Sequence, residues 1–306
     1  MEKENQTIKE IGREVAGAFY DYQQVRLSSM NRIRDVIRKR SEGIAFDAVE
    51  KKIDKDKKKF DKKYNDKALL STINKMKEEG KITDKEYDYI QKSLKLSDES
   101  KKIEEFYKTM MLEYVQQEPI FQEFLSKIKG LGPVLSCNLL KNFGYCERYE
   151  HISSLWKHSG FAVIDGHAPK REKGKTIDYN PKLRTLMWKI TDSFIKQNSP
   201  VYRGIYDNEK KRQLARKDEN KPKSQLHAHL RAMRKTTKIF LSHYWVVGRT
   251  LSQLPVSEPY VGDKLGHQHI ITWREVVQAN EDLQDIKHRK PKMEKIKPVK
   301  SKPKAK

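Results

Sequence analysis

Two His-x-His pairs, His227/His229 and His267/His269, have the spacing closest to that of a metal site. On a helix, residues i and i+2 point apart, so His227 and His229 make a poor pair of ligands. On a strand His267 and His269 could share an ion, but no neighbouring carboxylate or cysteine completes the set, and no metal is expected. Asp165 and His167 sit in a basic loop and could move a proton beside a phosphate, although a turn-forming Asp-Gly and a solvated histidine explain them more simply. Tyr179, between Asp178 and Asn180, offers a phenol nucleophile; packing before a helix capped by Asn180 is the more economical role. No Gly-x-x-x-x-Gly-Lys loop supports use of ATP, and no cofactor is expected. Cys137 and Cys146 are the only cysteines and form no Cys-x-x-Cys, so neither a disulfide framework nor a zinc ribbon is indicated, and a reducing cytoplasm fits. The catalytic residues, if there are any, are not identified by spacing.

The stretch with the clearest physical meaning is Phe124 to Gly144, FLSKIKGLGPVLSCNLLKNFG. It predicts a helix, a tight turn at Gly130-Leu131-Gly132-Pro133, and a second helix. The two glycines permit positive φ, Pro133 suits a first helical position, and Gly144 suits a C-terminal one. This pattern is similar to a helix-hairpin-helix motif. Its turn would bare backbone N–H groups at the positive end of the second helix, a place for one DNA phosphate that reads no base. Lys127, Lys129 and Lys141 flank it. Ser136, in the second helix, is expected to pack.

The chain as a whole favours a polyanionic partner. It carries 65 Lys+Arg against 42 Asp+Glu, a formal net charge of +23, with 36% hydrophobic and 35% charged residues. Modest cores with elongated helical parts follow from that balance. There is no apolar run of bilayer-spanning length, and the charged opening MEKENQTIKEIGREV does not read as a secretory signal; no membrane partner is expected. Besides the hairpin, basic groups cluster in the loop Lys170, Arg171, Lys173 and Lys175, on an expected outward helix face of Arg231, Arg234, Lys235 and Lys238, and in the tail Lys287 to Lys306, where ten of twenty residues are Lys or Arg. Each patch alone is a solvated surface; together they suggest a footprint of many phosphates. Trp156, Trp188 and Trp245 sit in apolar stripes and are expected in the core rather than as stacking platforms.

These patches need elements to carry them. Ile8, Ile11, Val15, Ala18, Tyr22, Val25, Ser29, Ile33 and Val36 predict one long amphipathic helix, about Lys9 to Arg40. The lysine-rich Lys51 to Asn65 predicts an exposed helix or tether. A helical pair follows over Lys67 to Leu96, with Gly80 ending its first member and Thr83/Glu86 boxing the second. Asp98 and Ser100 are expected to open a further helix through Ile103, Phe106, Met110 and Tyr114, which Pro119 kinks or restarts. Beyond the hairpin, a short helix should end at Gly160, Asn180-Pro181 and Ser199-Pro200 should each start a helix, and Ser224 should cap a long one. Phe161 to Thr176 reads as a loop or β-ribbon, Pro255 and Pro259 as the close of the folded part, YVGDKLGHQHIITW as an ordered extension, and the basic tail as disordered.

The ordered blocks IKGLGPVLSCNLLKNFG, SSLWKHSGF, GKTIDYNPKLRTLMWKI, VYRGIYDNEKKRQLARK and HAHLRAMRKTTKIFLSHYW together resemble the C-terminal transposase domain of the insertion-sequence-110/116/902 family, over about residues 120–250. The resemblance implies DNA transposition or recombination on duplex DNA, and a structured RNA as a partner. It also implies an N-terminal RNase-H-like domain with four acidic residues, and a nucleophilic serine in the loop after the short helix. Here residues 1–117 show only charged helices, and Phe161 to Thr176 contains no serine; Ser159 precedes Gly160 and is offset. The expectation is therefore an all-α protein: a basic helical, coiled-coil-like arm (1–117) able to form a homodimer, a transposase-like hairpin domain (118–254), an ordered extension (255–284) and a disordered basic tail (285–306). Its expected function is sequence-tolerant binding of double-stranded DNA in the nucleoid, not catalytic alone. An active recombinase and a structured-RNA binder are the alternatives.

Overall fold

The computed structural model describes residues 2–41, 66–163, 166, 168–169, 171–219, 221–257 and 271–289. The expected tether (Lys51 to Asn65), Asp165, His167, Lys170, the His267/His269 pair and the tail beyond 289 lie outside them. Among the described residues the chain is all-α, with ten α-helices, one 3-10 turn and no strand. None of these helices is long and apolar enough to cross a membrane. The chain divides into two compact units, residues 1–116 and 117–306.

In the N-terminal unit, α1 (Glu2–Ser41) lies antiparallel along α3 (Asp84–Gln116), with α2 (Asp66–Glu78) beside them. The direction follows from the pairs that meet. Tyr22 stacks on Tyr107 at 5.9 Å, Arg26 donates to Glu104 at 2.5 and 3.2 Å, and Arg40 donates to Glu86 at 2.5 and 2.8 Å. Met30, Ile33, Val36 and Ile37 of α1, Leu69, Ile73 and Met76 of α2, and Ile82 and Ile90 form one core. The apolar stripe of α1 is thus covered within the same chain, while Ile11 and Val25 fall at its exposed edges. Gly80, at φ +66°, closes α2, and the Thr83/Glu86 box opens α3: the Thr83 N–H donates to Glu86 Oε2 at 2.8 Å and the Glu86 N–H to Thr83 Oγ1 at 3.2 Å. The helix start expected at Asp98–Ser100 does not occur. Ser97 and Ser100 are buried inside a continuous α3, and Ser100 Oγ donates to the Leu96 carbonyl at 2.7 Å, so the hydroxyl is satisfied without a cap. Phe106, expected in the buried stripe, is 60% exposed.

The C-terminal unit is built around α9 (Gln225–Leu251), against which pack α4 (Pro119–Glu123), α6 (Ile152–His158), α7 (Pro181–Lys196), α8 (Tyr202–Ala215) and α10 (Trp273–Arg289). An aromatic cluster of Phe124, Phe194, Tyr202, Phe240 and Tyr244, with Trp273 edge-on to Phe124, fills its centre. Pro119 restarts the helix as expected, and α5 (Pro133–Phe143) begins on Pro133 and ends on Gly144, at φ +55°. Asn180 caps α7 through its side chain, 2.9 Å from the Lys182 N–H, and Ser224 caps α9, 3.1 Å from the His227 N–H.

Ser199-Pro200 does not start α8. The helix opens at Tyr202 after Val201, which holds φ +63° with no side-chain cap. The reason lies upstream. Asn198 takes φ +53° and its N–H donates to the Ile195 carbonyl, while the Ser199 N–H reaches back to Phe194 at 2.9 Å. This Schellman closure of α7 commits the Ser199 N–H to the preceding helix, while its carbonyl accepts from the Arg203 N–H of α8 at 3.0 Å. A second departure is α10, which takes up residues 273–284 of the expected extension and runs to Arg289, into the expected basic tail. Thr272 and Glu275 box its start, the Thr272 N–H donating to Glu275 Oε2 at 2.6 Å.

Candidate nucleic-acid interface

The hairpin turn is held from below. Ser193 Oγ of α7 donates to the Gly130 carbonyl at 2.7 Å, and the Lys129 N–H donates to Asn280 Oδ1 of α10 at 3.0 Å. Only one of its two glycines needs the left-handed region: Gly130 has φ +102°, whereas Gly132 sits at φ −97°, ψ 175°. A Cβ on Gly130 would approach Ser193 Oγ to 3.2 Å, but one on Gly132 would meet nothing within 4 Å. The segment before the turn is also less regular than expected, being the short α4 followed by a 3-10 turn at Leu125–Lys127. Gly132 is exposed and gives α5 no side-chain cap, in contrast to Asn180 of α7 and Ser224 of α9. The first-turn amides of α5 thus receive no side-chain cap from Gly132, at a helix end where the dipole favours an anion. Leu131 is buried beneath the turn.

The basic residues around this turn are less free than the sequence suggests. Lys127 pairs with Glu281 of α10 at 3.2 Å, and the side chains of Lys129 and Lys141 are half-buried. In the loop, Arg171 and Lys173 are exposed and Lys175 pairs with Glu172 at 2.7 Å. There is no ribbon in its described part.

The expected outward face of α9 splits into two roles. Lys235 donates to Glu209 at 2.9 Å, and Arg231 reaches Gln213 at 3.0 Å and His227 at 3.1 Å. The contacts to Glu209 and Gln213 tie α9 to α8, while that to His227 lies within α9. Burial pushes the Glu209 carboxyl up, but hydrogen bonds from Arg212, Gln213 and Lys235 outweigh it and hold the group at about 2. Arg234 and Lys238 turn instead toward α6 and the loop that follows it, and are only partly exposed. Arg234 Nη2 donates to the carbonyls of Phe161 (2.8 Å) and Ala162, and the Arg234 guanidinium lies 5.6 Å from the Phe161 ring centre. Lys238 Nζ lies 3.8 Å from the centre of the Trp156 ring, whose Nε1 donates to the Lys238 carbonyl at 3.2 Å.

Arg184, which sequence reasoning passed over, belongs with them. Its Nη1 donates to the Pro169 carbonyl at 3.0 Å and to the Tyr179 hydroxyl at 3.1 Å. Among the described residues no carboxylate pairs with Arg184, Arg234 or Lys238. Burial, then the neighbouring Arg184, lowers the proton affinity of Arg234; burial, then Arg234, lowers that of Lys238. A signal was present: Lys182 and Arg184 stand in the first turn of α7, where the helix dipole disfavours cations.

The other candidates for chemistry are accounted for by packing. Tyr179 accepts from Arg184, and His229 pairs with Tyr206 at 2.7 Å. Ser136 and Ser159 are fully buried, and among the described residues their hydroxyls make no hydrogen bond. Burial pushes the Cys137 thiol up to about 12 and the Cys146 thiol up as well, so neither is a reactive thiolate. No cluster of three metal-ligating side chains occurs among the described residues. Trp245 is buried as expected and Trp156 half-buried, but Trp188 is 48% exposed. Comparison with protein-family models, with curated proteins and with solved structures finds no match to this chain.

Proposed function

We propose that this chain is a duplex-DNA-binding protein related to insertion-sequence transposases. It would hold the phosphate backbone without reading sequence, in the cytoplasm on the nucleoid, and would not cut DNA alone. The observation that carries this reading is the open, uncapped N-terminus of α5 at Gly132, fixed from behind by Ser193. The net charge of +23 and the exposed Arg171 and Lys173 support it, since phosphate contacts supply most of the affinity in sequence-tolerant binding. Absence of cutting by the chain alone follows from the sequence, which offers no acidic quartet in residues 1–117 and no serine in Phe161 to Thr176. The buried Ser159 does not supply one.

The two glycines of the turn test the reading in opposite ways. Gly132→Val places its side chain in open space at an ordinary φ and should leave the melting temperature within about a degree, while blocking the approach of a phosphate to the α5 amides. Duplex affinity should fall about tenfold, the effect of losing one or two charge-assisted hydrogen bonds. Gly130→Val is expected to lower the melting temperature, because φ +102° is strained for any L side chain and Ser193 stands at 3.2 Å. The simultaneous change of both glycines would therefore lower stability as well as affinity, and only Gly132→Val separates the two. Unchanged duplex affinity in Gly132→Val, with the protein folded, would reduce the hairpin to an ordinary corner.

A further inference from the structure

We propose that Arg184, Arg234 and Lys238 form a seat for one phosphate group of the nucleic-acid backbone, separate from the α5 N-terminus. The proposal rests on the reading of the chain as a nucleic-acid binder and assigns a residue, Arg184, that the hairpin does not involve.

Three cations from two helices reach the segment Trp156 to Ala162: Lys238 lies over Trp156, Arg234 donates to Phe161 and Ala162, and Arg184 Cδ stands 3.2 Å from where a Cβ on Gly160 would be. Arg234 and Lys238 are one turn apart on α9, and Arg184 is on the first turn of α7. Each is positioned by a different contact. Arg234 spends Nη2 on the Phe161 and Ala162 carbonyls, Arg184 spends Nη1 on Pro169 and Tyr179, and the Lys238 ammonium rests 3.8 Å from the centre of the Trp156 ring. Arg234 Nε and Nη1, Arg184 Nε and Nη2, and Lys238 Nζ make no hydrogen bond among the described residues. Two planar forks and one point charge remain to donate, a donor set suited to the several acceptor oxygens of a phosphate.

The energetics point the same way. Burying like charges side by side costs stability unless something of opposite sign joins them. The same helix shows the alternative one residue away, where Lys235 is neutralised by Glu209 at 2.9 Å. Arg234 and Lys238 have no such partner among the described residues; their proton affinities are lowered first by burial and then by the neighbouring cation. A bound anion would relieve it. The cation–π contact holds the Lys238 ammonium in place without consuming its charge.

Lys238→Met tests the seat, because it keeps the stem against Trp156 and removes only the charge. In wild type, inorganic phosphate should raise the melting temperature of the full chain by about 3 °C over chloride at matched ionic strength. In Lys238→Met that rise should fall below about 1 °C, duplex affinity should drop about tenfold, and the slope of log affinity against log salt should become shallower by about 1. Melting in chloride should be unchanged or higher, since one repelling charge is gone. Lys238→Arg should restore both phosphate stabilisation and affinity, which a general loss of folding would not permit. If Lys238→Met keeps the phosphate rise and full duplex affinity, the seat is overturned while duplex binding stands. If phosphate stabilises wild type but not Lys238→Met, and neither binds duplex or RNA, the seat holds a different phosphate ester and the nucleic-acid reading falls. If neither phosphate nor nucleic acid affects wild type, both are overturned.

Discussion

Replacing Gly248 by valine is expected to destabilise the C-terminal unit by about 3 kcal/mol, the upper end of the cost of overpacking. Gly248 lies in α9, and a Cβ there would stand 2.9 Å from the Tyr145 carbonyl oxygen, 3.0 Å from its carbon and 3.2 Å from its Cα. These are backbone atoms that cannot swing aside. The segment is pinned on every side: Tyr244 donates to the Gly144 carbonyl at 2.7 Å, Tyr145 donates to Glu118 at 2.6 Å, and the buried Arg249 donates to the Tyr149 carbonyl at 3.1 Å. Trp245 adds a bond from Nε1 to the same Tyr149 carbonyl at 2.7 Å. The valine must therefore pry α9 from the chain that follows α5. Urea denaturation followed by circular dichroism measures the loss, and Gly248→Ala should show the same sign with smaller size. A Gly248→Val protein as stable as wild type would mean that α9 does not approach this segment so closely. The contrast with Gly132→Val is useful, since one glycine guards the fold and the other the surface.

Acid is expected to weaken the same unit in two separate steps. His243 is buried, and its Nε2 lies 2.8 Å from the Ile271 carbonyl, which can only accept, so Nε2 carries the proton. Nδ1 is then the acceptor for the Tyr202 hydroxyl at 2.9 Å. Burial lowers the His243 proton affinity from 6.5 to about 4, against the hydrogen bond to Ile271 and the charge of Glu275, which favour the cation. Because the unfolded chain binds this proton more readily than the folded one, stability is full above pH 6.5 and declines as pH falls towards 4. The loss from this one group is about 3 kcal/mol. His158 and His229, whose proton affinities are also lowered by burial, act in the same direction. Glu209 belongs to a lower window: held at about 2 by Arg212, Gln213 and Lys235, it gives up its contribution only as pH falls from 4.5 towards 2. Melting temperature measured from pH 7.5 to pH 3 should begin to drop near pH 6.5. A flat profile down to pH 4.5 would show that His243 takes up its proton without cost, and would contradict its burial between Tyr202 and Ile271.

What could be read in the sequence was what is decided within four residues. The Thr83/Glu86 box, the Asn180 and Ser224 caps, Pro133 at the start of α5, and Gly80 and Gly160 at helix ends are all local chemistry, and each is where its residues put it. Misreadings arose where tertiary packing decides. Asp98 and Ser100 look like a helix start, but Ser97 and Ser100 are taken into the interior of α3. Ser199 looks like a cap, yet Asn198 in the left-handed region had already drawn it into the end of α7; with Gly in place of Asn198 the closure would have been visible. Trp188 lies next to the fully buried Met187, about 100° round the helix from it, and so leaves the apolar stripe. The cationic residues divide in the same manner. Which of Arg231, Arg234, Lys235 and Lys238 meets a carboxylate depends on Glu209, on the neighbouring helix α8 and 26 residues from Lys235 in sequence. No spacing rule separates the neutralised cations from the rest.

The most direct test of duplex-DNA binding is the affinity of the full chain for one labelled duplex and for its RNA counterpart, each measured from 50 to 200 mM salt. Backbone binding through the α5 amides, Arg171, Lys173 and the Arg184–Arg234–Lys238 group predicts a preference for DNA. It also predicts a loss of about 100-fold across that range, as expected when about four phosphates are neutralised. A preference for the A-form RNA duplex, or an affinity that barely changes with salt, would contradict it.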